Sequence, residues 1–401
     1  MASKKRKTPS ILLLILSTLG ILFGGIITVL SLVGSLFFTP ESTSAPDFLS
    51  GLTTSFLSFT ICLLNIPTFC TSIKNLKQIN SQHSLPGLFG FTNYLITIWP
   101  LIVLAGYLAS QNEFSTIFLA PLTIIAIAVP VWWLVEFSRR GLPRSTKLRE
   151  WGTLSIGITL TPILIILIEL IVVAIVTIIV LIGLGFQENF NFHFSSLLNN
   201  INPFQSEIGE LDQILYDLME YPIVSTGLFL VVGFLAPLIE EIFKPFAIWF
   251  LLKRPLRNYE GFSLGLISGG AFTLLESAGM ILQLNASDWL AAVLLRAATG
   301  VLHIGLSGLV GFGVTRNWNR KRYGKGVLYI LAAVLLHGVW NSLALLSGYS
   351  SILSQNSLIF VNSGIIDIFV LVSMIAVFLL IITINLKINA HLQHQLTKQE
   401  P

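Results

Sequence analysis

The feature that most limits this chain is a succession of about ten apolar runs, each about 20 residues long or longer. A helix rises 1.5 Å per residue, so about 20 apolar residues cross the hydrocarbon layer of a bilayer. The chain is 54% hydrophobic and only 10% charged, more apolar surface than a water-soluble core needs. The expected fold is therefore all-α: a polytopic helical membrane protein of about ten transmembrane helices. Candidate spans cover residues 11–38, 51–72, 88–109, 115–136, 153–185, 223–252, 262–284, 290–315, 327–347 and 365–386. The first follows Lys4, Lys5, Arg6 and Lys7. It is longer than a usual signal-peptide core and no convincing cleavage site follows it, so it reads as a span.

Charge placement orients these spans. With ten spans and a cytoplasmic N-terminus, the inside segments are 1–10, 73–87, 137–152, 253–261, 316–326 and the tail. They hold every Lys and Arg except Lys244 and Arg296. That positive-inside pattern puts both termini in the cytoplasm of a multi-pass protein of the cytoplasmic (inner) membrane. The basic patches are short and flank apolar runs, so they read as topology signals. Zinc-finger spacings and glycine-rich phosphate loops are absent, and no nucleic-acid partner is expected. Cys62 and Cys70 lie eight apart, about 12 Å along a helix, too far for a disulfide. They read as small buried hydrophobes.

Four segments follow. Residues 1–186 form an N-terminal membrane region of five spans with no assigned role. Residues 187–222 form an acidic extracytoplasmic segment, whose EIGELDQILYDLMEY stretch spaces apolar residues for an amphipathic helix. Residues 223–348 form a core of four spans, and 349–401 carry the last span and a polar tail.

The core holds most of the ionisable groups that lie inside spans. Glu240, Glu241 and Lys244 sit in one apolar run, between Pro237 and Pro245. A charge at the bilayer centre costs roughly 2.5–3.5 kcal/mol on insertion scales, so three in one helix must be answered. Pro245 cannot donate to the Glu241 carbonyl, and backbone freed in this way is tolerated only against protein or a wet cavity. Glu276, Arg296, His303 and His337 follow on the next three spans, with Asn341 one turn beyond His337. Counted from the cytoplasmic ends, Glu241 lies roughly 18 Å deep, Glu276 and His303 roughly 20 Å, and His337 roughly 16 Å. This common level predicts that acids and imidazoles converge on one wet cavity. Such a set suits a divalent metal with an open position for water, or metal-free acid–base catalysis. Both activate water, which points to hydrolysis.

EEIFK (Glu240 to Lys244), FTLLE (Phe272 to Glu276), His303 and HGVWN (His337 to Asn341) together resemble the PrsW family of intramembrane proteases. That family looks related to the CAAX prenyl endopeptidases and bacteriocin-immunity proteins. The resemblance covers about Phe234 to Ala344 and makes residues 223–348 a PrsW-like catalytic core. It implies cleavage of a peptide bond in a membrane-anchored protein, with anti-sigma factors as the substrate class. The catalytic set it implies is Glu240, Glu241, Glu276, His303 and His337, with Asn341 as oxyanion partner and Lys244 in support. A metal such as zinc would take Glu276, His303 and His337; metal-dependent and metal-free chemistry both fit the motifs.

Blander readings stand beside these. Glu240 and Glu241 are an ion pair with Lys244 in one, and Glu276 partners Arg296 or a histidine in another. Arg296, about 9 Å from its span's outer end, is expected to snorkel outward. Glu169 stands alone in its span, and the glycines of GLISGG and GLSGLVGFG fit close helix packing. An ion-coupled transporter and a non-catalytic partner-binding relative are the alternatives to an enzyme.

Overall fold

The structure is a computed structural model. It describes residues 2–37, 45–78, 87–111, 118–185, 218–219, 221–251, 256–281, 288–355 and 363–398. The helices are α1 Ala2–Phe37, α2 Ala45–Leu76, α3 Phe89–Ser110, α4 Leu119–Ser138, α5 Lys147–Ile158, α6 Leu160–Gly185 and α7 Pro222–Leu230. A π-helical turn, Val231–Leu235, leads into α8 Ala236–Phe243 and α9 Phe246–Leu251. Then come α10 Asn258–Ile281, α11 Trp289–Asn319, α12 Tyr323–Gln355 and α13 Ser363–Thr397. Ten helical stretches are long and apolar enough to cross a membrane, and there is no strand among the described residues. The protein is an all-α polytopic membrane protein. Of the acidic amphipathic stretch expected before span 6, all but Leu218, Met219 and Tyr221 lies outside the described residues.

The chain divides into two compact units. The first comprises residues 1–164, 241–333 and 378–401; the second comprises 165–240 and 334–377.

In the first unit the glycines bring α10 and α11 into backbone contact. A Cβ on Gly265 would stand 2.3 Å from the Ser307 carbonyl oxygen, and one on Gly269 2.5 Å from that of His303. Only hydrogen fits there, as in close helix pairs of membrane proteins. On α11, Trp289 lays its ring against Gly106 of α3 and donates to Thr123 Oγ1 of α4 at 2.7 Å. Asn65 of α2 accepts from Ser155 Oγ of α5 at 2.5 Å. Cys62 is half-buried and Cys70 exposed, so neither is the buried hydrophobe expected.

The basic stretch after α4 does more than set topology. Arg139 and Glu136 are both 3% exposed and pair at 2.5 Å; Arg144 reaches Glu136 at 2.6 Å and Glu150 at 3.2 Å. Arg149 pairs with Glu260 at 2.6 Å, tying α5 to the start of α10. The tail is also structural. The helix of the last span runs on to Thr397, and Asn389 Nδ2 donates to the Ser138 carbonyl at 2.7 Å, ending α4.

In the second unit α6 presents Leu170, Ile171, Ile178, Ile179 and Ile182 more than half exposed, a surface that suits hydrocarbon rather than water. Gly183 of α6 lies under Ile223, and Gly227 of α7 under Val180. Gly338 of α12 lies against the Gly233 carbonyl of the π turn, where a Cβ would stand 2.2 Å from the oxygen.

Candidate active site

The first unit holds one polar chain, built where the sixth span breaks. Pro245 has no N–H to give, and α8 stops at Phe243 before α9 resumes at Phe246. Side chains take up the carbonyls of the break. Ser268 Oγ donates to the Lys244 carbonyl, and Trp249 Nε1 donates to that of Ile242 at 2.9 Å.

The break points the Lys244 side chain inward, where it is fully buried. Its ammonium lies 2.9 Å from Glu241 Oε1 and 2.7 Å from His303 Nδ1. An ammonium only donates, so Nδ1 accepts and the imidazole proton sits on Nε2. Nε2 in turn faces Glu276 Oε2 at 2.8 Å. Arg296 Nη2 reaches the same oxygen at 2.5 Å, and its Nε donates to Ser277 Oγ at 3.0 Å. The run is Glu241, Lys244, His303, Glu276, Arg296, alternating in charge around a neutral imidazole. Phe272, the aromatic of FTLLE, braces it: the Lys244 ammonium lies 4.8 Å from its ring centre, and the His303 ring meets it edge-on at 5.4 Å.

Arg296 therefore corrects an expectation. It does not snorkel outward; it is 9% exposed and bound to Glu276. Counting residues to a span end misses this, because Ser277 and Glu276 offer a nearer partner than the headgroups.

The second unit holds Glu240, His337 and Asn341. Pro237 cannot donate to the Gly233 carbonyl, and the helix ahead of it widens to π register. Ala236 N–H bonds to the Val231 carbonyl, five residues back. The Val232 carbonyl, which Ala236 would take in an α-helix, is released. Asn341 Nδ2 donates to it at 3.2 Å. One turn earlier on α12, His337 is 1% exposed and its Nε2 lies 3.9 Å from Glu240 Oε2. That is too long for a direct hydrogen bond. Glu169, on α6 in the same unit, is half-buried.

The adjacent glutamates therefore have different neighbours. Glu241 faces an ammonium, and Glu240 faces an imidazole. The sequence left Lys244 able to reach either.

A metal fits these residues unevenly. In the first unit an ammonium faces one nitrogen of His303 and a carboxylate the other, while a guanidinium holds Glu276. A cation at His303 needs one of these to leave, so His303 and Glu276 do not fit the role of ligands as they stand. In the second unit Glu240 and His337 are buried donor types that zinc accepts.

Residues 208–383 match the family model described as PrsW family intramembrane metalloprotease. This segment belongs to the PrsW family. The match takes in every motif residue from Glu240 to Asn341 but less than half of the chain. Comparison with curated proteins and with solved structures finds no match to either. The match marks residues 208–383 as an intramembrane protease region of the PrsW type, a family that implies membrane-protein substrates.

Proposed function

We propose that the protein hydrolyses a peptide bond of a membrane-anchored protein and that Glu240 is its general base. The observation that supports this most is the Glu240–His337 pair: two buried groups of the acid–base type, 3.9 Å apart. Glu240 takes a proton from water as the oxygen attacks the carbonyl carbon. The tetrahedral intermediate then loses the amine, and the proton held by Glu240 passes to the leaving nitrogen. His337 orients the carboxylate. Asn341 uses one of its two amide hydrogens on Val232, and the other is the donor for the oxyanion.

Glu241, Lys244, His303 and Glu276 complete the proposed set as a charged framework in which Lys244 fixes the His303 tautomer. Substrates of the anti-sigma-factor type, single-span and inserted in the cytoplasmic membrane, follow from the family resemblance. Zinc remains the metal of the PrsW-type alternative, and no step above passes through it.

The test uses the full-length protein in liposomes with a single-span membrane protein as substrate. Glu240→Gln and His337→Ala are expected to slow cleavage by about 10²–10⁴-fold, the range of a general base. Cleavage by Glu240→Gln at the parental rate would overturn the assignment. Membrane proteomics of cells carrying Glu240→Gln should show the natural substrate accumulating uncut.

A further inference from the structure

At the basic end of the first unit an open notch of about 440 Å³ has Arg257, Arg316 and Arg320 in its wall, over an apolar floor that includes Leu256 and Leu392. A second notch of about 640 Å³ continues it and shares Leu256, Arg257, Tyr259 and Asn319. Among the described residues, the one carboxylate in either wall is Glu260. Glu260 is already held by Arg149 at 2.6 Å, by the Ser145 hydroxyl at 2.8 Å and by the Arg257 backbone N–H at 3.0 Å. No carboxylate among the described residues pairs with Arg257, Arg316 or Arg320.

Arg257 lies just ahead of α10, and Arg316 and Arg320 lie at the end of α11; the two helices are joined at this point. Asn319 Nδ2 of α11 donates to the Leu256 carbonyl, just ahead of α10, at 2.7 Å. Arg316 is half-buried, with its guanidinium 5.6 Å from the Phe312 ring centre, and Arg257 Nη1 donates to the Tyr259 hydroxyl at 3.2 Å. The positive-inside rule explains why arginines lie on this side. It does not explain three of them around one notch without a counter-charge.

The level of the notch narrows the ligand. It lies where the spans Asn258–Ile281 and Trp289–Asn319 meet, on the side that the charge pattern reads as cytoplasmic. Trp318 and Tyr323, 41% and 52% exposed, pack edge to face beside it at 5.0 Å, as aromatics do at the membrane–water boundary. Headgroup phosphates occupy that level. A guanidinium fork matches phosphate oxygens, and anionic lipids gather at the cytoplasmic leaflet. We infer that Arg257, Arg316 and Arg320 form a binding site for a phosphate group, that of an anionic lipid of the inner leaflet.

The experiment compares the full-length protein in nanodiscs of phosphatidylcholine, with and without phosphatidylglycerol. Readouts are the melting temperature and the anionic lipid retained on transfer to neutral detergent, counted by native mass spectrometry. The parent should melt higher with phosphatidylglycerol and carry that lipid through. The triple variant Arg257→Gln, Arg316→Gln, Arg320→Gln should lose both effects, with retention down about tenfold or more. Lys321→Gln, Arg322→Gln, Lys325→Gln removes equal charge from outside the notch walls and should retain both. Stabilisation by millimolar inorganic phosphate in phosphatidylcholine, lost in the first variant, would support the phosphate site but assign it to a free anion. Should the triple variant not fold, Arg316→Gln and Arg320→Gln singly should each weaken retention several-fold. An unchanged lipid preference without the notch arginines, or equal loss in the control variant, overturns the proposal.

Discussion

Lys244 Nζ lies 2.7 Å from Nδ1 of His303, and both side chains are buried. The same ammonium answers Glu241, so deleting it strands a carboxylate in the interior. Breaking a buried pair from one side costs about 3–5 kcal/mol, whereas removing both partners can be close to neutral. Lys244→Met is therefore expected to destabilise the protein by about that amount, and Glu241→Gln with Lys244→Met to recover a large part of it. Unfolding of the four proteins of this cycle in detergent checks the prediction. A double variant as unstable as the sum of the singles would show that the two charges are not partners.

The metal question turns on the same imidazole. With Lys244 at Nδ1 and Glu276 at Nε2, a cation at His303 would have to displace one of them. His303→Gln is accordingly expected to leave the metal content of the purified protein at the parental value, read by elemental mass spectrometry after dialysis. Metal present in the parent and lost in His303→Gln would make this histidine a ligand and require Lys244 to move.

Glu240 and Glu241 should separate in their phenotypes. Glu240→Gln is nearly isosteric and leaves the Lys244–Glu241 pair in place, so its loss of cleavage should come with a melting temperature close to the parent's. Glu241→Gln leaves Lys244 facing an amide in place of a carboxylate and should lower stability first, by about 3–5 kcal/mol. Cleavage assays read beside melting curves distinguish the two. Equal losses of both properties in both variants would contradict separate roles.

How much of this was legible in the sequence follows from what each signal measures. Hydropathy and charge asymmetry delivered the ten spans, because lipid admits few alternatives. Glu276 was legible as a partner for Arg296 or a histidine, at the depth of His303; the glycines of α10 and α11 explain how close the contact becomes. Glu136, Arg139, Arg144 and Glu150 looked like span-end charges, and nothing in their spacing shows that they fold back on one another. The π turn was half visible. Pro237 announced a defect, but the defect's form depends on Asn341, more than a hundred residues later.

Close approach of α10 and α11 is itself a requirement of the polar chain, since Glu276 and His303 sit on opposite members of the pair. Gly269 holds the tightest position near them, where an added Cβ would meet the His303 carbonyl oxygen at 2.5 Å and Ile304 Cα at 2.8 Å. Backbone cannot swing aside as a side chain can, so the helices must part by a few tenths of an ångström or more. Gly269→Ala is expected to cost about 1–3 kcal/mol, the range of overpacked cores, despite alanine's better helix propensity. Parting should also lengthen the His303–Glu276 contact of 2.8 Å, lowering cleavage more than stability alone explains. Gly279, on the same helix, has nothing within 4 Å of its would-be Cβ. Gly279→Ala should therefore be neutral or stabilising by up to about 1 kcal/mol, with cleavage unchanged. Melting curves and cleavage rates of the two variants form the comparison; if they behave alike, helix contact at Gly269 is not what holds Glu276 to His303.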